Sequence, residues 1–171
     1  IRFNTALCFV AAGAALIAAT RGRRAGVWLS AAVVAVVSGL TSLEYLLDVD
    51  LRIDELLVRD HPLTPDQLPR MAPNTAAALV VAALAFMLIA RKGQRRWMPS
   101  GVGLAGVLVG SIGLVALLGY AIGTSTAYRW GDAVGISISA SVGLMLLSAG
   151  LVERAWRASA PTSVLDVCPA S

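Results

Sequence analysis

Five stretches of the chain are apolar enough to cross a bilayer: residues 4–19, 27–47, 73–90, 101–122 and 134–152. Glu44 is the only charged residue inside any of them. A helix rises about 1.5 Å per residue, so a hydrocarbon core of about 30 Å takes roughly 20 residues. The second, fourth and fifth stretches meet that length, and the shorter first and third should reach the interface with their polar ends. The pattern predicts an all-α integral membrane bundle of about five transmembrane helices. One domain over residues 1–157 would be followed by a flexible cytoplasmic tail over 158–171, which contains Pro161 and Pro169 and no helical period.

The charged residues lie between these stretches and alternate in kind. Arg21, Arg23 and Arg24 follow the first stretch, Arg91, Lys92, Arg95 and Arg96 follow the third, and Arg154 and Arg157 follow the fifth. The 48–72 connection sets three arginines against Asp48, Asp50, Asp54, Glu55, Asp60 and Asp66. Basic residues collect in cytoplasmic loops. The first and third connections and the C-terminus are therefore expected inside, and the second and fourth connections outside. Within the outer connection, residues 50–58 place Leu51, Ile53, Leu56 and Leu57 among charges, as in an amphipathic helix lying on the membrane surface. The first stretch is not a secretory leader, because its arginines follow the apolar run.

The chain also repeats itself. Arg2-Phe3-Asn4-Thr5-Ala6 opens the first stretch and Ala72-Pro73-Asn74-Thr75-Ala76 opens the third. Leu43-Glu44-Tyr45-Leu46-Leu47 closes the second, Leu118-Gly119-Tyr120-Ala121-Ile122 closes the fourth, and Ile136-Ser137-Ile138-Ser139-Ala140 opens the fifth. This is a same-orientation helical hairpin occurring twice, followed by a half repeat, with a pseudo-rotation axis along the membrane normal. It puts Asn4, Thr5, Glu44, Tyr45, Asn74, Thr75, Tyr120 and Ser139 at one level near the outer boundary. Two readings of this polar layer stand side by side. The layer could be helix termini and interhelical glue, with Asn and Thr capping helix starts and Tyr in the interfacial belt, or it could line a ligand pocket around Glu44, since an acid inside a membrane segment is a functional candidate. Gly103, Gly106, Gly110 and Gly113 share one helix face that admits a close partner, either inside the bundle or in a dimer.

Composition narrows the chemistry. Of 171 residues, 57% are hydrophobic and 14% charged, against about 25% charged in soluble domains. The net charge of +4 comes from clusters at helix ends, so no nucleic-acid partner is expected. Cys8 reads as a small buried hydrophobe, and its separation from Cys168 argues against a disulfide. His61 is the one histidine and lies in the outer connection. No nucleophile elbow, phosphate loop or metal-ligand spacing is present. The chain therefore reads as no enzyme, with no catalytic residues, no metal and no evident cofactor.

At the Asn-Thr-Ala openings and the Leu-Glu-Tyr closing, the chain resembles the multi-helix N-terminal membrane sensor regions of bacterial histidine kinases and diguanylate cyclases. The matching residues are Asn4-Thr5-Ala6, Leu43 to Leu47 with Val49-Asp50, and Met71 to Ala76, and the resemblance spans roughly residues 1–155. That group often carries His-Thr where this chain has Ser139-Ala140, and it continues from its last helix into a signalling domain. The resemblance implies a sensory, signal-input module in the bacterial cytoplasmic membrane. Its partners would be the lipid bilayer and a cytoplasmic signalling domain or other membrane chains. A structural or accessory subunit of a larger membrane complex is the alternative. A small transporter is a weaker one, because few polar groups fall at mid-membrane depth.

Overall fold

The computed structural model describes residues 3–47, 71–91, 97–124, 126 and 135–159, which form five helices. They are α1 (Phe3–Thr20), α2 (Arg24–Leu47), α3 (Pro73–Ala90), α4 (Met98–Ile122) and α5 (Ile138–Ser159). All five are long and apolar enough to cross a membrane. The amphipathic 50–58 segment, His61, Cys168, Lys92, Arg95, Arg96 and the tail beyond Ser159 lie outside the described residues.

Glycine ends two of the helices. Gly22 (φ 67°) follows α1, where the Arg23 amide returns to the Ala18 carbonyl at 2.9 Å. Gly123 (φ 78°) caps α4, and the Thr124 amide returns to the Gly119 carbonyl at 2.9 Å. Both take the left-handed turn that a side chain resists. Proline sits in the first turn of α3 and of α4, where its missing N–H has no helical partner to lose.

The fifth helix departs from the expected 134–152. It starts at Ile138, because the Ser137 hydroxyl accepts the Ala140 amide at 3.2 Å as an N-cap. It continues to Ser159 because its buried stripe runs on through Leu147, Leu151 and Ala155. On the exposed side Arg157 donates to Glu153 at 3.0 Å, one turn back. The charges that hydropathy assigns to a flank are thus the last turns of a helix.

Successive helices pack against one another, and α3 also touches α1 and α5. It is the hub: 56% of its apolar span is buried, against 28% in α2 and 39% in α5. Apolar residues on every side of α3 suit that position. The interior is rich in small residues, with Ala12, Ala15, Ala31, Ala76, Ala78, Ala82, Ala83 and Ala85 all buried. Larger side chains such as Phe86, Leu79, Leu144 and Leu151 are buried between them, while Val10, Leu29, Leu46, Leu104 and Leu146 point out. Small residues at the helix contacts are the arrangement of helices in lipid, where close backbone approach holds the bundle together. In water the same exterior would be one continuous apolar patch.

Tight contacts fix the directions. A Cβ added at Gly26 would lie 3.0 Å from the Ala18 Cβ, which folds the start of α2 back along the end of α1. Along α4 and α5 the partners run in opposite order: Gly103 faces Ala155, Gly106 faces Leu151 and Val152, Gly110 faces Ser148, and Gly113 faces Ser141 and Leu144. The glycine stripe therefore packs inside the bundle, and Ser148 Oγ donates to the Gly106 carbonyl at 2.7 Å across that seam. Between α1 and α5 the order is parallel, with the Phe9 ring on Gly143 and Leu16 on Gly150.

Candidate functional site

The buried stripe of α2 changes character halfway along. It reads Val27, Ala31, Val34, Ser38, Thr41, Glu44, in steps of three and four that keep one helix face inward. The half nearest Arg24 is aliphatic and the other half polar. In α1 the order is the same seen from the opposite end: Asn4 and Thr5, then Cys8, Ala12, Ala15 and Ala19 toward Arg21. Helix α3 opens with buried Asn74 and Thr75 and continues in alanine and leucine. Because neighbouring helices alternate in direction, these polar segments gather at the end of the bundle remote from Arg21, Arg91 and Arg154.

Seven polar side chains of α1, α2 and α3 are buried there: Asn4, Thr5, Ser38, Thr41, Glu44, Asn74 and Thr75. Glu44 is 2% exposed, and neither it nor Asn4 lacks a polar partner. The hydroxyls of α2 spend their protons locally. Ser38 donates to the Val34 carbonyl at 2.6 Å and Thr41 to the Val37 carbonyl at 3.0 Å. Their oxygens then have only lone pairs to offer the interior. Asn74 Oδ1 is buried with no hydrogen-bond partner among the described residues. Asn74 Oδ1 and the lone pairs of Ser38 and Thr41 are acceptors that a ligand bearing donors could meet.

The capping role expected of Asn and Thr is not what α3 displays. Its N-cap is Ala72, with no side-chain hydrogen bond. The Asn74 and Thr75 side chains are turned into the bundle. Tyr45 and Tyr120, both half-buried, act as tethers. Tyr45 Oη donates to the Met71 carbonyl at 2.9 Å, and Tyr120 Oη to the Ile136 carbonyl at 2.6 Å. Each acceptor stands two residues before the next helix.

Ser139 does not join the layer. It is exposed and shares a 3.2 Å hydrogen bond with the Ser137 hydroxyl. Asn74 and Ser139 hold the same place, second in their helices, but α3 is surrounded and α5 is peripheral. In α5 the buried hydroxyl is Ser141, which donates to the Ser137 carbonyl at 3.1 Å. Sequence reasoning also passed over Ser38 and Thr41. The signal available for both was their spacing of three and six residues from Glu44.

Cys8 is free and buried among these helices. Among the described residues, no three His, Cys, Asp or Glu side chains come together. The three described tryptophans, Trp28, Trp97 and Trp156, are all exposed and stand at the arginine end of α2, α4 and α5. That is the belt Trp forms where a membrane meets water. No protein-family model matches the chain, and neither a curated protein nor a solved structure matches it.

Proposed function

We propose that this chain is a non-catalytic sensory module of the bacterial cytoplasmic membrane. Its N-terminal end and polar layer would face out and its C-terminal end would face the cytoplasm. The carrying observation is the buried polar layer around Glu44, in which Asn74 Oδ1 has no partner among the described residues. Unsatisfied buried acceptors cost stability, and they are retained where a ligand or a change of packing uses them. The route out is α5. It packs on α4 through the glycine seam and on α1 through Phe9 and Leu16, and it runs unbroken from Ser141 to Arg157.

The repeated hairpin belongs to the same reading. The equivalent tethers of Tyr45 and Tyr120 support it, because each ties the close of one hairpin to the opening of the next helix. A module of this kind signals when a ligand binds two helix packings unequally. The distribution of basic residues supports the orientation, since Arg21, Arg23, Arg24, Arg91, Arg154 and Arg157 share one end.

The test is a chimera that joins α5 at Ser159 to a diguanylate cyclase catalytic domain, reconstituted in nanodiscs. Glu44→Gln and Asn74→Leu should each shift cyclase output by about threefold or more, the factor that about 0.6 kcal/mol imposes on a two-state equilibrium. Gly13→Ala, at a site with open space around it, should leave output unchanged. Equal output from all four proteins would overturn the sensory reading.

A further inference from the structure

At the arginine end of the bundle, α3, α4 and α5 part around a shallow cleft that is open to the surroundings. Its walls are apolar, with Leu88 from α3, Met98 and Val102 from α4, and Ala155 from α5, and its lining includes Arg91 and Arg154. Among the described residues no carboxylate lines it. Glu153, the acid next to Arg154, accepts instead from the exposed Arg157 at 3.0 Å.

Arg154 is the unusual member. Its Nε is buried and has no hydrogen-bond partner among the described residues. The side chain also borders a second groove, between α1 and α5, where Leu16, Ile17 and Gly150 meet Thr20, Glu153 and Arg157. A guanidinium with an idle N–H, set at the edge of the apolar cleft beside Arg91, calls for an anion carried on an apolar body. Arginine meets phosphate oxygens with paired, charge-assisted hydrogen bonds. Basic pockets between membrane helices on the cytoplasmic side suit acidic headgroups. The exposed Trp97 and Trp156 flank this end of α4 and α5, which sets the arginines at headgroup depth.

We propose that this cleft binds an anionic phospholipid, its phosphate held by Arg91 and Arg154 and an acyl chain lying along Leu88, Met98 and Val102. A lipid bound there would brace the inner ends of α3, α4 and α5 against one another. The site stands on its own geometry and does not depend on the sensory reading, because it lies at the opposite end of the bundle from Glu44.

Native mass spectrometry of the full chain, titrated with phosphatidylglycerol and with phosphatidylcholine, tests it. The wild type should retain phosphatidylglycerol about tenfold more tightly, and the Arg91→Gln/Arg154→Gln double variant should lose that preference. Arg21→Gln/Arg23→Gln, in the turn between α1 and α2, should keep it. Ala158→Phe, which fills the mouth and leaves both arginines in place, should weaken retention of phosphatidylglycerol while helix content by circular dichroism stays constant. Glycerol phosphate at millimolar concentration should not compete. Equal retention of the two lipids, a double variant indistinguishable from wild type, or full displacement by glycerol phosphate would overturn the proposal, the last by assigning the arginines to a soluble phosphate.

Discussion

Glu44 and Asn74 put the two accounts of the polar layer to opposite tests. Glu44 is buried and partnered, so Glu44→Leu leaves groups around it unpaired. It should destabilise the protein by roughly 1–3 kcal/mol, nearer the lower bound because hydrogen bonds in membranes average about 0.6 kcal/mol. Glu44→Gln keeps an acceptor and should hold the wild-type melting temperature in detergent. Asn74 Oδ1 has no partner among the described residues to lose, so Asn74→Leu, which removes an unsatisfied buried acceptor, should leave the melting temperature unchanged or raise it. If the layer were only interhelical glue, both leucine variants would lower the melting temperature together. These residues were legible in the sequence because a lone acid and a repeated Asn-Thr opening stand out in apolar stretches. Ser38 and Thr41 were not, since a hydroxyl bonded to its own helix is common in any membrane segment. Ser139 was misplaced because a motif gives the position along a helix but not whether that helix is surrounded.

The clearest contrast among the elements lies in their glycines. On Gly106 a new Cβ would stand 2.9 Å from Val152 Cγ2 and 3.2 Å from the Val152 backbone nitrogen, and on Gly113 2.8 Å from the Ser141 carbonyl oxygen. Backbone cannot move aside cheaply, so Gly106→Ala and Gly113→Ala should each cost about 1–3 kcal/mol by forcing α4 and α5 apart. Gly39, in the interior of α2, has nothing within 4 Å of such a Cβ. Gly39→Ala should therefore raise stability by about 0.5–1 kcal/mol through helix propensity. Thermal unfolding in one detergent would separate the two groups by sign. The tyrosine tethers belong to this scale too: Tyr45→Phe and Tyr120→Phe should each lose about 0.5–1.5 kcal/mol. Hydropathy found α3 at its observed bounds, because proline opens it and arginine closes it. It misjudged α5, because a helix that leaves the apolar layer goes on for as long as its inner stripe does. The glycine spacing foretold a close seam, but only the packed structure shows that α5, and not a second copy of the chain, fills it.

At the scale of the whole molecule, the arrangement turns on which end faces which compartment. If each of the five described helices crosses the membrane, the start of α1 and the end of α5 lie on opposite sides of it. The polar layer and the arginine end then face different compartments, which is what a device that receives outside and reports inside requires. Alternating charge in the connections is what predicts this orientation, and the alanine- and glycine-rich helix contacts agree with a lipid surround. The central placement of α3 was not legible, since a helix apolar on every side looks the same in sequence whether lipid or protein surrounds it. The most direct measurement is labelling of intact cells with a membrane-impermeant thiol reagent, in a chain whose Cys8 and Cys168 have been replaced. His61→Cys, in the connection between α2 and α3, should be labelled. Gln94→Cys, between α3 and α4, should be labelled only after the membrane is opened. The reverse pattern would put the Glu44 layer at the cytoplasmic face and contradict the account.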